Sequence, residues 1–252
     1  MSEGLASKVV LVTGGTMGMG RAFAVLAAAQ GAKVVIGARD KTRGDEVVRE
    51  ITATGGTALF VPTDVTVEEQ VAALVGTAVE EFGRLDGAFN NAGGGNALGR
   101  VRDADEAFWR TTIDLNLTSV FFSMKHEIPA IAASGGGAIV NNASTVGVAG
   151  DPSVAIYSAA KHGVIGLTRS AALDVAREGI RINALVTGLV DTPLWRQAAQ
   201  DPQVEKHMMD RQPLGRAGRE DEVAAFAAFL LGDGATYITG AALPVDGGRT
   251  AA

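Results

Sequence analysis

Two ionisable side chains lie four residues apart in a segment that predicts a helix. Apolar residues recur at helical spacing over residues 153–178, so Tyr157 and Lys161 share one face of that helix. An ammonium group beside a phenol favours the phenolate, and we expect Lys161 to lower the pKa of Tyr157 below its free value of about 10. Such a tyrosine can give or take a proton near neutral pH. The alternative is a surface pair that meets by chance.

A candidate nucleotide-binding turn lies near the N-terminus. An apolar, β-branched run at 9–12 predicts a buried strand, and an alanine-rich helix follows at 21–30. Glycines between them would let the backbone approach a pyrophosphate, towards which the helix directs its unpaired amides. A plain tight turn is the alternative. The candidate contacts in the turn are Gly14, Thr16, Met17, Gly18, Met19 and Gly20.

The end of the second predicted strand, residues 33–38, carries the signal for nucleotide preference. A carboxylate there would bind the adenosine ribose and repel a 2′-phosphate. The chain instead has small residues followed by Arg39, with Arg43 one turn later. This pattern favours NADP(H) as the cofactor. NAD(H) stays open, because both arginines could be solvated residues of a helix start and Asp40 weakens the positive field.

The third predicted strand, residues 58–62, leads to two candidate nucleotide contacts, Asp64 and Val65. Carboxyl ends of strands are where α/β sheets bind ligands. Thr66 and Glu69 predict a capping box for the next helix, which leaves Asp64 without a structural task. Asp64 is therefore a candidate contact for the adenine amino group, and a loop-stabilising aspartate is the alternative.

A loop of small residues at 90–95 follows the fourth predicted strand, residues 85–89. The cofactor could lie against its backbone, and the candidate contacts are Asn91, Ala92 and Gly93. A simple turn is the alternative.

A helix is expected from about residue 103, with an apolar stripe that suits the core or a subunit interface. Asn116 lies within this stripe. A buried amide needs hydrogen-bond partners, so Asn116 either satisfies local backbone groups or belongs to a site.

The later strands bring one more candidate to the same edge of the sheet. The fifth predicted strand, residues 138–142, ends just before Ser144, and the sixth and last strands cover 181–186 and 241–245. Since a dinucleotide would lie along the carboxyl edge of a parallel sheet, Ser144 is expected beside it.

Regular periodicity is lost at about 189–214, where three prolines lie among charges. A long irregular segment in a compact domain is often a functional lid, and a disordered excursion is the alternative. Apolar residues here and after Ser144 favour a moderately apolar carbonyl compound or alcohol as substrate. The candidate substrate contacts are Ser144, Val146, Ser153, Tyr157 and Trp195.

The alternation of strands and helices, with no repeat or linker, predicts one α/β domain over residues 1–252. We expect a Rossmann-like, doubly wound parallel sheet with helices on both faces. The net charge of −6 without a basic run argues against a nucleic-acid partner. The absence of cysteine fits a cytoplasmic location. No signal peptide, membrane span or histidine spacing typical of a metal site is present, so neither a membrane nor a metal is expected.

These motifs together resemble the short-chain dehydrogenase/reductase family over nearly the whole chain. The turn Thr13-Gly-x-x-x-Gly18-x-Gly20 is similar to the family's cofactor signature, and residues 90–93 are similar to its second motif. Four residues fall where the family has its catalytic tetrad: Asn116, Ser144, Tyr157 and Lys161.

The resemblance implies hydride transfer between a nicotinamide and a carbonyl or alcohol, as in a carbonyl reductase or alcohol dehydrogenase. Tyr157 would be the general acid in reduction and the base in oxidation, and Ser144 would bind the substrate oxygen. Lys161 would lower the pKa of Tyr157 and hold the nicotinamide ribose, and Tyr157 would also contact the cofactor. Asn116 would anchor a water relay. A homotetramer built through helices at about 103–126 and 153–178 is also implied.

One position departs from the family pattern. The sixth strand usually ends in Pro-Gly, whereas this chain has Thr187-Gly188. The family's proline stiffens the turn under the nicotinamide. The cofactor contacts that the resemblance implies after this strand remain available, at Gly188, Val190 and Thr192.

Two other functions stay open. A nucleotide-sensing regulator could share the fold, because fold alone does not determine function, although it would have little reason to hold all four tetrad residues. An epimerase or dehydratase shares the tyrosine–lysine pair. The family's longer members of that kind tend to have an added substrate domain, for which this chain has no room.

Overall fold

Seven strands form one parallel sheet in the computed structural model, which describes residues 4–94 and 99–251. The strands are β1 Val9–Thr13, β2 Lys33–Ala38, β3 Thr57–Pro62, β4 Gly87–Asn90, β5 Gly137–Asn142, β6 Ile180–Thr187 and β7 Ala242–Val245. They lie in the order β3-β2-β1-β4-β5-β6-β7, and every neighbouring pair runs parallel. Each overlaps a predicted strand, and the doubly wound sheet is confirmed.

α-Helices cover both faces of this sheet. They are α1 Gly18–Ala29, α2 Lys41–Ala53, α3 Glu68–Phe82, α4 Glu106–Ile113, α5 Ser119–Ala133, α6 Ala155–Val175, α7 Pro193–Ala198, α8 Pro202–Met209 and α9 Glu220–Leu231. Successive side chains of a strand point to opposite faces. Val10 and Val12 therefore pack in a core with α1, α2 and α9, while Val9 and Leu11 pack with α3, α5 and α6. None of these helices is both long and apolar enough to span a membrane.

The winding of the chain reverses at β1, which pairs with β2 on one side and β4 on the other. At such a point the flanking helices diverge and leave a crevice outside the carboxyl ends of the strands, where open α/β sheets bind ligands. The segments that leave β1 and β4 both line this crevice. The glycine turn and the loop of small residues are therefore neighbours.

The predicted helix at 103–126 is interrupted. A five-residue π-helical turn, Asp114–Thr118, lies between α4 and α5. The Asn116 side chain within it donates to the Thr112 carbonyl at 3.0 Å. One wide turn hardly disturbs an apolar stripe, so the sequence pattern did not reveal it. Such turns occur frequently at functional sites.

The segment expected to be irregular contains two short helices, α7 and α8. Both begin with proline after a capping residue: Thr192 Oγ1 accepts from Trp195 N at 3.3 Å, and Asp201 Oδ1 accepts from Gln203 N at 2.9 Å. Each helix is too short to establish an apolar period. A capping residue followed by proline is the sequence signal for the start of both helices, and apolar periodicity does not reveal it.

The predicted capping box at Thr66 and Glu69 is wrong. α3 begins at Glu68, and Thr66 instead donates from its backbone N and from Oγ1 to Asp64 Oδ1, at 3.0 and 2.7 Å. The loop-stabilising role of Asp64 is therefore present. These hydrogen bonds are the main cause of a lowered pKa at Asp64, and Arg39 contributes less.

A carboxyl group lies in the core beneath the sheet edge. Glu127 of α5 has no exposed surface and accepts from Asn90 Nδ2 at 2.9 Å. Asn90 Nδ2 also donates to Asn141 Oδ1 at 3.0 Å. Among the described residues, Glu127 Oε1 and Asn90 Oδ1 are the buried side-chain atoms without a partner. Burial raises the pKa of Glu127 to about 8, so this carboxyl holds its proton at neutral pH.

This proton makes stability depend on pH. The native state keeps it up to about pH 8, while the unfolded chain releases it near pH 4.5. The free energy of unfolding should therefore fall as pH rises through that window, by on the order of 2 kcal/mol between pH 6 and pH 9. Glu127→Gln, which stays neutral, should lose this slope in urea titrations. Exposed Glu46→Gln is the control, and equal slopes in all three proteins would contradict a protonated Glu127.

Candidate active site

The glycine turn keeps side chains away from the N-terminus of α1. Gly14 and Gly18 have φ of +67° and +58°, a region that favours glycine. A Cβ on Gly20 would lie 2.4 Å from the Gly14 carbonyl oxygen. A Cβ on Gly18 would point at Thr192, 3.5 Å from its Cγ2. Since α1 starts without a side-chain cap, its amides remain available to an anionic group in this gap.

The loop after β4 is tied to the glycine turn by Thr13 and Asn91. Thr13 Oγ1 accepts from the backbone N of Asn91 and of Ala92, both at 3.1 Å. Asn91 Nδ2 donates to the carbonyls of Thr13 and Gly14 at 3.3 and 3.4 Å. The sequence motif includes Thr13 but does not reveal this role. The last predicted residue of the loop, Gly95, lies outside the described residues.

The candidate adenosine contacts lie at the ends of β2 and β3. Arg39 is exposed and close enough to Asp64 to attract its carboxylate. Arg43 is also exposed, but its Nε lies 3.4 Å from Asp40 Oδ2, so part of its charge is balanced. Val65 is buried. Of the two arginines, Arg39 is the one without a salt bridge to the described residues.

Three elements bring the predicted tetrad together. Ser144 follows β5 and accepts from Val146 N at 3.4 Å. Lys161 Nζ lies 5.6 Å from the centre of the Tyr157 ring, so the two share one face of α6 as predicted. A Cβ on Gly93 would lie 3.0 Å from Asn116 Oδ1 and 3.4 Å from Lys161 Nζ. The loop after β4 therefore approaches both side chains closely.

Asn116 has the backbone partners expected for one of its two predicted roles. It has no exposed surface, and its Oδ1 accepts from Gly94 N at 2.8 Å. Its Nδ2 donates to the carbonyls of Gly94 and Thr112 at 3.2 and 3.0 Å. The side chain thus anchors the loop after β4 to the π-helical turn.

The expected lowering of the Tyr157 pKa is wrong for this structure. Burial raises the pKa of Tyr157 to about 12, and a hydrogen bond with the Ser144 side chain acts in the opposite direction. Burial also lowers the pKa of Lys161 to about 8. The ammonium donates to the Asn142 carbonyl at 2.7 Å, and removal from water disfavours the charged form of both groups. Tyr157 is therefore a neutral phenol that can donate its proton.

Two of the predicted substrate residues, Val146 and Trp195, line different cavities. Val146 lines a cavity of about 370 Å³ together with Thr145 and Asp151, directly after Ser144. Trp195 lines a different cavity of about 480 Å³, between α7, α8 and the segment that precedes α9. Ser153 has φ of +62°, and its carbonyl accepts from Gly99 N at 2.7 Å.

The segment after β6 approaches the glycine turn through Thr192. Gly188 lies against β7, where a Cβ would be 2.6 Å from Asp246 Cα. Val190 is buried and forms an isolated parallel bridge with Gly218. Thr192 Oγ1 uses one lone pair to cap α7, and its hydrogen remains available to a further acceptor.

Comparison with known proteins agrees with this geometry. A family model described as enoyl-(acyl carrier protein) reductase matches residues 14–250. The chain is 44% identical to a cyclohexanol dehydrogenase of Acinetobacter sp. (strain SE19), over 99% of this chain and 98% of that one. It is 46% identical to a cis-4-hydroxycyclohexanecarboxylate dehydrogenase of Sinomonas cyclohexanicum, over the full length of both. An L-sorbose reductase of Gluconobacter frateurii, solved with NADPH and L-sorbose, superposes with a TM-score of 0.93 at 30% identity, covering all of both chains.

Proposed function

The chain belongs to the short-chain dehydrogenase/reductase family, and we propose on that basis that it interconverts a secondary alcohol and a ketone with a nicotinamide cofactor. The observation that carries this proposal is the meeting of a glycine turn with the tetrad. Gly93 lies beside both Asn116 and Lys161, while Asn91, two residues earlier, donates hydrogen bonds to the turn. A dinucleotide that follows this loop would reach the proton donor.

The residues present fit such a cofactor. The gap between Gly18 and Thr192 would fill if the glycine carried a side chain, and it lies at the uncapped start of α1. We assign the pyrophosphate to this gap and the nicotinamide ribose to Lys161. When bound, the cofactor supplies the hydride in reduction and accepts it in oxidation.

The chain's own side chains manage the proton and the substrate oxygen. Tyr157 donates its phenol proton to the carbonyl oxygen in reduction and takes it back in oxidation. The Ser144 hydroxyl supplies a second hydrogen bond to that oxygen as charge develops on it. Lys161 carries positive charge beside the phenol, which stabilises the phenolate that proton transfer leaves behind. Asn116 holds the loop backbone on which the cofactor lies.

Removal of the phenol hydroxyl tests the assignment. Tyr157→Phe should bind cofactor normally and lose at least about 1,000-fold in kcat, because the proton donor is gone. Tyr237→Phe, which changes the other, fully exposed tyrosine, should behave as wild type. The measurements are NADPH binding by fluorescence and steady-state reduction of cyclohexanone. Normal turnover by Tyr157→Phe would show that another group transfers the proton.

A dehydrogenase or reductase is favoured over the two alternatives. The relatives named above are dehydrogenases and reductases rather than regulators or epimerases. A regulator would bind the dinucleotide and fail to oxidise or reduce any member of a broad alcohol and ketone panel.

For the cofactor we propose a preference for NADP(H), with NAD(H) as the weaker alternative. Arg39 stands at the end of β2 without a salt bridge to the described residues, where it could pair with a 2′-phosphate. The NADPH-bound L-sorbose reductase has the same fold over its whole length. Asp40, which is bonded to Arg43, leaves Arg39 as the main positive group at this position.

Charge reversal tests this preference. Arg39→Asp should raise the KM for NADPH at least about tenfold more than the KM for NADH, because the carboxylate repels only the 2′-phosphate. Exposed Arg177→Asp, which makes the same change in charge away from the site, is the control. An unchanged ratio of the two Michaelis constants would mean that Arg39 does not contact the nucleotide.

For the substrate we propose a small alicyclic alcohol or ketone, held under a lid formed by residues 189–214. Two relatives are named for cyclohexane-ring alcohols. The cavity after Ser144 is large enough for such a ring, and α7 and α8 lie over the neighbouring cavity. We also propose that residues 1–252 form one catalytic domain. Kinetics with cyclic and open-chain alcohols test this class, and equal kcat/KM for both would contradict it.

We also propose a homotetramer located in the cytoplasm. Exposed apolar side chains lie on the two helical segments that the resemblance places at subunit contacts: Trp109 is 47%, Phe121 45% and Leu173 79% exposed. Such residues suit an interface. Analytical ultracentrifugation should give a mass four times that of the 25.8 kDa chain. A single species at 25.8 kDa would contradict the proposed assembly.

A further inference from the structure

The threonine that ends β6 takes part in a chain of side-chain hydrogen bonds. Thr187 is 5% exposed, and its Oγ1 donates to Asn142 Oδ1 at 2.7 Å. Asn142, at the end of β5, donates from Nδ2 to Asn91 Oδ1 at 3.2 Å. Asn91 in turn donates from Nδ2 to the carbonyls of Thr13 and Gly14. This hydrogen-bond chain therefore crosses the sheet edge from β6 through β5 and the loop after β4 to the glycine turn.

The donor-to-acceptor direction of this hydrogen-bond chain is determined by the acceptors at its end. Thr13 and Gly14 offer carbonyl oxygens, which accept and never donate, so the amide nitrogen of Asn91 must face them. The Asn91 oxygen then faces Asn142 and requires its amide nitrogen. The Asn142 oxygen is left to face β6, where it needs a donor. A rotated amide at either asparagine would bring like groups together, so the assignment does not depend on choosing between amide O and N.

Threonine at position 187 supplies that donor, and the family's usual proline could not. Proline and valine lack a side-chain donor, whereas serine has one. Without a donor at position 187, Asn142 Oδ1 would lose this hydrogen bond, and Asn142 is only 7% exposed to water. The Asn142 backbone carbonyl is also the acceptor of the Lys161 ammonium. One residue thus connects Thr187, the catalytic lysine and the nucleotide-binding turn.

We propose that Thr187 is a positioning residue for the cofactor. Its hydroxyl completes this hydrogen-bond chain and fixes the position of the loop after β4 relative to β5 and β6. In this protein a hydrogen bond from Thr187 stabilises the turn that a proline usually stiffens in the family. The inference rests on the proposed function, because it assumes that the cofactor lies on this loop.

Isosteric replacement tests the hydroxyl. Thr187→Val should raise the Kd and the KM for NADPH about tenfold, which corresponds to about 1.4 kcal/mol, with kcat at saturating NADPH within about threefold of wild type. Thr187→Ser should restore the Kd to within about threefold. Thr168→Val is the matched control, because Thr168 is a fully buried threonine that accepts from Asn141 Nδ2 in the separate network around Glu127. It should leave the Kd unchanged. NADPH fluorescence titration gives Kd without turnover.

A double-mutant cycle in the cofactor-free protein tests the chain itself. Thr187→Val should lower the free energy of unfolding in urea in the wild type and have much less effect in an Asn142→Ala background. The proposal is overturned if Thr187→Val binds NADPH like wild type, if Thr187→Ser binds as weakly as Thr187→Val, or if the two substitutions are additive in urea. A wild-type protein that binds neither NADPH nor NADH would overturn the proposed function instead. The double-mutant cycle in urea would still test the hydrogen-bond chain in that case.

Discussion

The constraint on which the site depends is the need of amide side chains at the sheet edge for hydrogen-bond partners. At the carboxyl edge of the sheet, Asn91 joins the loop after β4 to the glycine turn after β1, and Thr13 completes the junction with two further bonds. The strand order makes these two loops neighbours, but the amide sets their separation. A polar group that loses its partner in this setting is costly. These bonds therefore fix how the two loops that line the crevice lie relative to each other.

The same burial controls the electrostatics. Lys161 is buried and Tyr157 is half-buried, and this desolvation moves the pKa of the lysine down and that of the tyrosine up. Both shifts favour the neutral form of the side chain. In Glu127 burial acts on a carboxyl group and raises its pKa, so the proton is kept. Desolvation is the first cause in all three cases, and it depends on what packs around the group rather than on sequence neighbours.

Sequence patterns were sufficient for elements whose signal is local. The β-branched run of β1, the glycine turn and the four-residue spacing of Tyr157 and Lys161 all follow from chain chemistry over a few residues. The π-helical turn at Asn116 could not be found in this way, because one wide turn leaves an apolar stripe nearly intact. The capping box at Thr66 failed for a different reason: α3 begins at Glu68, and Thr66 donates from its backbone N and its hydroxyl to Asp64 within the preceding loop.

By itself, the sequence determined the order of the strands, the sheet edge on which the candidate functional residues lie and the pairing of Tyr157 with Lys161 on one helical face. Tertiary structure alone decided that Lys161 bonds to the Asn142 carbonyl, that Val146 and Trp195 line different cavities and that Thr187 donates to Asn142. The physical reason is one of range. Periodicity and turn chemistry act between near neighbours in sequence, whereas Asn142 lies 19 residues from Lys161 and 45 residues from Thr187.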